Sequence, residues 1–352
     1  MATLKELAAY TGVSAAAISR ILNNDPTMSV SEGTRARVLE AAGKLNYAAT
    51  KSRKGRSLKC MLRIGLAEML SPVEQLDDPY YLYLKSFVGE ECAARKIEVS
   101  ALHRNEDGFA YVGEAALDGI IAIGIFTRGQ IASLRALSDN VVFLDSSPDE
   151  LHSDSVVINF RLGIETALSH LFAIGHTRIG FIGPAEKLDD WKQPAPELRR
   201  TLFIRYMRQR GAYDAHYLLT APMNAGATAA QLHTHIEKGA PLPTAYLTAN
   251  EENAIGAVRA LRESGLRVPE DVSIISFNDT PLSELIEPPL TSISTHLREM
   301  CATAVRLVTE RAPARGREQR VLPQKVVIPP ALVLRDSVAP PADCIKSEKQ
   351  NG

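Results

Sequence analysis

The sequence has no apolar run of the roughly 18 residues that a membrane-spanning helix requires. Its first residues also lack the apolar segment of a secretory signal, because Lys5 and Glu6 stand in that region. An apolar fraction of 45% and a charged fraction of 23% are typical of a globular protein in water. We therefore expect a cytoplasmic protein with no membrane contact.

Cysteine is scarce, and the cysteines are scattered along the chain, at Cys60, Cys92, Cys301 and Cys344. None belongs to a CxxC pair or a Cys/His cluster, which argues against a disulfide scaffold and a structural zinc site. The glycines at 180 and 183 do not form the GxGxxG pattern of dinucleotide binding. No nucleophile paired with a base is visible either. We expect no metal, no cofactor and no enzymatic activity.

Charge is distributed unevenly, although the net charge of the chain is only −1. Residues 1–59 contain ten Lys and Arg against four Asp and Glu, so this segment carries +6 and the remainder carries −7. A basic module joined to an acidic body indicates a polyanionic partner at one end of the chain. Charge alone does not distinguish this from a basic face that contacts only solvent.

Three helices are predicted in the first 47 residues. Thr3 begins a capping box for the first helix, and Gly12 supplies the turn that follows it. Ser14 caps a second helix over Ala15–Leu22, and Ser31 begins a third. A helix, a turn, a second helix and a supporting helix form the plan of a helix-turn-helix DNA-binding domain.

Three short runs in this segment match a known signature: Thr-Leu-Lys-Glu-Leu-Ala at residues 3–8, Gly-Val-Ser at 12–14 and Ile-Ser-Arg-Ile-Leu-Asn at 18–23. The segment resembles the DNA-binding domain of the lactose/galactose repressor (LacI/GalR) family of transcriptional regulators. Asn-Asp-Pro-Thr at 24–27 and Asp-Pro-Tyr-Tyr at 78–81 are most similar to a branch that represses an evolved β-galactosidase operon.

The resemblance implies that the second helix enters the major groove of DNA. Arg20 would read a guanine edge through two hydrogen bonds, while Ala15 and Ala16 would offer methyl contacts to bases. Phosphate contacts, which set register without reading sequence, are implied for Thr3, Ser14, Ser19 and Asn23, and electrostatic contacts for Arg53 and Lys54 in the linker. For Thr3 and Ser14, simple helix capping is the alternative interpretation.

The linker departs from the family pattern. Relatives usually have a hinge helix here, whose leucine wedges into the minor groove and kinks the DNA. Gly55 stands where that leucine is expected, and glycine disfavours a helix by about 1 kcal/mol and has no side chain to insert. We expect a hinge that is shorter, shifted to use Leu58, or purely electrostatic.

From residue 61 onward, short apolar runs alternate with helical patterns. The strands are predicted at 63–69, 98–103, 119–124, 141–145, 155–159, 178–183, 245–250 and 272–277. The helices are predicted at 80–95, 161–174, 197–210, 227–237, 252–264 and 297–309. This alternation is typical of parallel, doubly wound α/β sheets, which bind ligands at the carboxyl ends of their strands.

The same part of the chain resembles the family's effector domain, which is built like periplasmic sugar-binding proteins. Matching runs include Asp-Gly-Ile-Ile at 118–121 and Gly-His-Thr-Arg-Ile-Gly at 175–180. The resemblance implies two doubly wound lobes joined by crossings near residues 160, 291 and 324. The resulting boundaries are 1–47 for the all-α DNA-binding domain, 48–60 for the linker, 61–160 and 291–323 for the N-lobe, 161–290 and 324–338 for the C-lobe, and 339–352 for a disordered tail.

Six residues are expected to contact the effector: the resemblance implies Asp145, Arg199, Asn250 and Asn278, and the aromatic residues Tyr80 and Trp191 are further candidates. Carboxylate, guanidinium and amide groups at strand ends can each meet a pair of sugar hydroxyls. An aromatic face such as that of Tyr80 or Trp191 can stack on a sugar ring, with ordinary packing as the alternative. For Arg199 the alternative is a solvent-exposed helix arginine.

The sequence thus predicts a homodimeric repressor of a carbohydrate-utilisation operon, which binds double-stranded operator DNA and is released by a small sugar, such as a β-galactoside. A dimer is expected because each helix-turn-helix reads half of a palindrome. One alternative is a co-repressed or dual regulator of the same family that senses a non-sugar metabolite. Two others are a sugar receptor without a DNA role and an enzyme on a doubly wound fold.

Overall fold

The computed structural model describes residues 4–22, 30–44, 61–71, 74–77, 79–105, 108–313 and 319–342. The chain divides into two compact units, Met1–Cys60, called the head, and Met61–Gly352, called the body. Among the described helices, none is long and apolar enough to cross a membrane.

The described part of the head consists of three helices around one apolar core. They are α1 (Leu4–Thr11), α2 (Ala15–Leu22) and α3 (Glu32–Lys44). The core is formed by Leu7, Ile18, Ile21, Val38 and Ala41, each at most 4% exposed. Pairs of these residues on α2 and α3 lie three positions apart, which places them on one face of their helix. The predicted all-α head is confirmed.

Two local signals fix the turn between α1 and α2. Gly12 has a φ of 67°, a conformation that glycine adopts at little cost, and it ends α1. Ser14 then caps α2, because its Oγ accepts a hydrogen bond of 3.3 Å from the backbone N–H of Ala17. The sequence of this turn therefore determines how α2 leaves α1.

Replacing Ile18 by alanine is expected to destabilise the head by about 2–5 kcal/mol, because Ile18 is fully buried and the change leaves a cavity. Calorimetry of the full chain should show that the unfolding transition of the head moves to a lower temperature or disappears. The unfolding transition of the body should be unchanged. An unaltered head transition would mean that Ile18 does not hold the three helices together.

The body is built from short strands and helices. In chain order its strands are β1 (Arg63–Glu68), β2 (Glu98–Ala101), β3 (His103–Asn105), β4 (Gly108–Ala110), β5 (Gly119–Ile123), β6 (Val141–Leu144), β7 (Asp154–Ile158), β8 (Ile179–Gly183), β9 (Glu186–Leu188), β10 (Pro194–Pro196), β11 (Leu218–Thr220), β12 (Ala245–Thr248), β13 (Ser273–Asn278), β14 (Thr291–Ser294), β15 (Lys325–Ile328) and β16 (Ala331–Val333). Its helices are α4 (Glu74–Asp77), α5 (Pro79–Ala94), α6 (Arg128–Leu137), α7 (Phe160–Ala173), α8 (Leu198–Gln209), α9 (Ala225–Glu237), α10 (Glu251–Glu263), α11 (Leu282–Leu285) and α12 (Leu297–Arg311), with a 3₁₀ turn at Ala215–Tyr217.

Two six-stranded sheets organise the body. The first has the order β15-β7-β6-β5-β1-β2 and is parallel throughout. The second has the order β11-β8-β12-β13-β14-β16 and is parallel except for its last pair. Helices α5 and α12 cover one face of the first sheet and α6 the other, while α7 with α8 and α9 with α10 cover the two faces of the second. The predicted pair of doubly wound sheets is confirmed.

The chain crosses between the sheets three times. Strand β7 of the first sheet is followed by α7 on the second, β14 of the second by α12 on the first, and β15 of the first by β16 of the second. Of the described residues, those within 61–159 and 296–328 therefore form the first lobe, and those within 160–295 and 329–342 form the second. The crossings expected near 291 and 324 are wrong, because β14 pairs with β13 and β15 pairs with β7.

The segment after Val338 begins as ordered chain. The carbonyl oxygen of Ala339 accepts a hydrogen bond of 3.0 Å from Ser273 Oγ and lies 2.9 Å from His176 Nε2. The expectation of a disordered tail from residue 339 is thus wrong for residues 339–342, since buried polar groups of the second lobe hold them. Residues 343–352 lie outside the described part.

Candidate functional site

A cleft lies between the two lobes of the body, at the carboxyl ends of their strands. Its cavity volume is about 20 Å³, and about 350 Å³ when the solvent-filled space at its opening is counted. Its walls are formed by Tyr80, Tyr81, Asp145, Ile158, Phe160, Lys187, Arg199, Met223, Asn250, Asn278 and Thr295. Both lobes contribute, so a molecule bound here contacts the two lobes at once. Five of the six residues expected to contact an effector lie in this wall.

Asp145 is the carboxylate of the first lobe in the cleft. It follows strand β6 with a φ of 77°, which turns the chain at the strand end. The Tyr80 hydroxyl donates to Asp145 Oδ1 at 3.2 Å and the Tyr81 hydroxyl to Oδ2 at 3.1 Å, so both oxygens are oriented. Burial raises the pKa of Asp145 above its ordinary value, while Lys187, both tyrosine hydroxyls and Arg199 oppose that rise.

Arg199 is the guanidinium of the second lobe, and it is only 4% exposed. Its Nε donates to Glu197 Oε1 at 2.7 Å, and a second nitrogen donates to the carbonyl oxygen of Ala249. The guanidinium carbon lies 5.4 Å from the ring centre of Phe160 and 5.7 Å from that of Phe277. Arg199 is therefore held rigidly in the cleft wall, and the alternative of a solvent-exposed helix arginine is excluded.

Part of the hydrogen-bonding capacity of Arg199 faces the cleft. A guanidinium carries five N–H groups. Nε donates to the Glu197 carboxylate, and one terminal nitrogen donates to the carbonyl oxygen of Ala249. The other terminal nitrogen lies 3.7 Å from Met223 Sδ, a weak acceptor. The two terminal nitrogens thus retain donors for a ligand with adjacent oxygens.

Two asparagines at strand ends complete the polar wall of the second lobe. Asn250 caps α10, because its Oδ1 accepts a hydrogen bond of 3.0 Å from the N–H of Asn253. With the oxygen so used, the amide NH₂ is the group that Asn250 offers to a ligand. Asn278 ends β13 with a φ of 99°, and its carbonyl oxygen accepts a hydrogen bond of 3.2 Å from Thr295 Oγ1.

Sequence reasoning missed some of the wall and misplaced one residue. Lys187 and Met223 carried no signal in the sequence, whereas Phe160 and Thr295 stand at the crossings that join the lobes. Trp191 does not line the cleft; it packs against the hydrophobic cluster of the first lobe, with the Arg128 guanidinium 4.7 Å from its ring centre. The expected stacking of Trp191 on an effector is not supported by this position.

In the head, α2 presents the residues expected to contact DNA. Ser14 and Arg20 are exposed and Ala15 is half-buried, whereas Ile18 and Ile21 on the opposite face are buried. The side chains of Ala16 and Ser19 are outside the described part, as are Thr3, Asn23, Arg53, Lys54 and Gly55. The contacts predicted for all these residues remain predictions.

The chain matches two family models. Residues 3–49 match the lacI family of bacterial regulatory proteins, and residues 168–338 match a periplasmic binding protein-like domain. A transcriptional regulator of Streptococcus thermophilus, GalR, is 34% identical over 96% of this chain and 99% of its own length. The chain belongs to the LacI family. As a member of the LacI family, it is a helix-turn-helix transcriptional regulator, and these matches do not support the narrower branch of the evolved β-galactosidase operon.

Solved structures of LacI-family proteins have the same fold. The lac repressor dimer bound to operator and the anti-inducer ONPF superposes with a TM-score of 0.61 at 24% identity, over 96% of this chain and 99% of that one. A complex of the transcriptional regulator CelR with cellobiose has a TM-score of 0.61 at 21% identity, over 96% of this chain and all of that one. At these identities the likeness shows the fold alone.

Proposed function

We propose that this regulator represses genes of carbohydrate use and that a small sugar, bound in the cleft of the body, releases it from its operator. The observation that carries the proposal is the convergence of Asp145, Arg199 and Asn250 on one cleft between the lobes. A ligand that contacts both lobes stabilises their closed arrangement, and this is how it changes the equilibrium of the protein.

The chemistry of the wall fits a polyol. The Asp145 carboxylate accepts from two hydroxyl groups, while Arg199 and Asn250 donate to hydroxyl or ring oxygens. Phe160 and Ile158 supply an apolar surface for the C–H faces of a sugar ring. The complex of CelR with cellobiose shares the fold and binds a sugar, which supports this choice of ligand class.

The charges of the wall favour an uncharged ligand. Arg199 is paired with Glu197 at 2.7 Å, and Lys187 is electrostatically coupled to Asp145. A second negative charge, such as a sugar phosphate, would add to Asp145 and Glu197 and would have to be desolvated. We therefore propose a neutral sugar, and β-galactosides are the first class to test.

The head supplies the DNA contact, and the active form is proposed to be a cytoplasmic homodimer. A single helix-turn-helix reads one half-site, so a palindromic operator needs two copies. The operator-bound lac repressor, which has the same fold, is a dimer. Arg20 on α2 is the side chain to which we assign base reading.

A gel-shift titration tests this function. Purified full-length protein is added to its own upstream promoter fragment at fixed salt, with and without lactose, cellobiose or melibiose. The proposal predicts a retarded protein–DNA complex that dissociates when one of these sugars is added. A sugar that tightens the complex would make the protein co-repressed, and no effect of any sugar, galactosides included, would remove the effector assignment.

Effector affinity is expected to fall as the pH is lowered through the raised pKa of Asp145. Only the ionised carboxylate accepts hydrogen bonds from two hydroxyl groups, so affinity is constant above that pKa and declines about tenfold per pH unit below it. Calorimetric titration across the pH range in which the body stays folded measures this. Asp145→Asn is the control, with weak but pH-independent binding; a wild-type affinity that rises on acidification would contradict the role of Asp145.

A further inference from the structure

A short hairpin of the second lobe reaches across the cleft. Strands β9 and β10 pair antiparallel between β8 and α8. Asp189 closes the turn, because its Oδ1 accepts from the N–H of Trp191 at 2.9 Å and from the N–H of Gln193 at 2.8 Å. These hydrogen bonds hold the tip in one conformation, so the hairpin is an ordered element of the fold.

The tip of this hairpin contacts the first lobe through two neighbouring residues, Asp190 and Trp191. The Asp190 carboxyl lies near the backbone N–H of Ser147, which opposes the rise that burial causes in the pKa of Asp190. Trp191 packs against the first-lobe cluster, beneath the guanidinium of Arg128 at 4.7 Å. Each of these partners belongs to the first lobe, so the contacts exist only while the lobes are close together.

The base of the same hairpin carries Lys187, which lines the cleft and is the largest opposing influence on the raised pKa of Asp145. Only three residues separate Lys187 from Trp191. The hairpin therefore connects a group in the effector site with a contact outside it.

We infer that the β9–β10 hairpin is an interlobe latch that holds the cleft closed over the effector and positions Lys187 in its wall. The inference deepens the proposed function and rests on it. A contact made only in the closed arrangement adds to the apparent affinity of any ligand that requires closure. Trp191 thus acts on effector binding without touching the effector.

Trp191 is the sole tryptophan of the sequence, so its fluorescence reports on the latch directly. Without any ligand, Arg128→Ala is expected to increase acrylamide quenching of the full-length protein about twofold, because the ring loses its cover. The matched control is Arg208→Ala, since Arg208 lies 4.8 Å over Tyr213 within the second lobe. Quenching that is unchanged in Arg128→Ala, or raised equally in Arg208→Ala, would overturn the latch.

Effector affinity gives the second readout. With lactose as the probe, Trp191→Ala is expected to bind about tenfold more weakly than wild type, and Tyr213→Ala as tightly as wild type. In Arg128→Ala, the Trp191→Ala change should have a smaller effect, because the two residues act as one contact. Equal affinities of Trp191→Ala and wild type would refute the latch. If wild type binds no lactose, the β-galactoside part of the proposed function fails, and the quenching experiment still decides the latch.

Discussion

Replacing Arg199 by lysine is expected to weaken effector binding about 100-fold, while operator binding without effector stays unchanged. Lysine keeps the positive charge beside Glu197 but lacks the planar guanidinium. It therefore cannot donate to the Ala249 carbonyl oxygen and to a ligand at the same time as arginine does. Two lost hydrogen bonds from a charged donor, at about 1.5 kcal/mol each, give an effect of this size. Alanine is a poorer test, because it leaves the buried Glu197 carboxylate unpaired, at a cost of about 3–5 kcal/mol in stability.

The neighbouring Arg200 provides the control for this experiment. Its guanidinium donates to Thr220 Oγ1 at 2.9 Å and is absent from the cleft wall. Calorimetric titration should show effector affinity reduced in Arg199→Lys and kept in Arg200→Lys. If Arg199→Lys binds the sugar as tightly as wild type, the guanidinium of Arg199 is not a ligand contact and the site assignment is wrong.

Replacing Arg20 by alanine is expected to remove most of the preference for operator over unrelated DNA. A bidentate contact to guanine is worth about 1–3 kcal/mol at each half-site, so a dimer loses roughly 30-fold or more in specificity. Binding to unrelated DNA should persist, because phosphate contacts supply that affinity. Fluorescence anisotropy with operator and scrambled duplexes at the same salt concentration measures both.

Arg37 is the matched control for Arg20, since it is an exposed arginine on α3, the supporting helix of the head. Arg37→Ala should change affinity for operator and scrambled DNA by the same factor. An Arg20→Ala protein that still discriminates as well as wild type would show that another residue reads the base sequence.

Much of the fold could be predicted from the sequence, because its signals are local. The bounds of α2 match the prediction, since Ser14 and the apolar spacing of the helix define both ends. Strands such as β5 are buried along their whole length, so they appear in the sequence as continuous apolar runs. The crossings near β14 and β15 were misplaced, because an apolar run does not reveal which of two sheets it joins.

The polar residues at strand ends were also predictable. Asp145, Asn250 and Asn278 each follow a recognisable strand, and parallel strands place their carboxyl ends at one edge of a sheet. The burial of Arg199 was not predictable, because it depends on contacts with Phe160 and Phe277, which are distant in sequence.

The hairpin was missed for a different reason. Its strands have three residues each, and one of them reads Pro-Ala-Pro, a composition that argues against a strand. The positions of Lys187 and Trp191 follow from this hairpin and could not be read from the sequence alone. The packing of Trp191 against the first lobe could therefore not be predicted.

The most direct test of the central claim is a measurement of coupling in both directions. Sugar affinity is measured by calorimetry for the free protein and for its operator complex, and operator affinity by anisotropy with and without saturating sugar. Two sites coupled through one conformational equilibrium must influence each other by the same factor. We predict that operator weakens sugar binding at least tenfold and that sugar weakens operator binding by the same factor; a sugar affinity that is identical with and without operator would contradict the account.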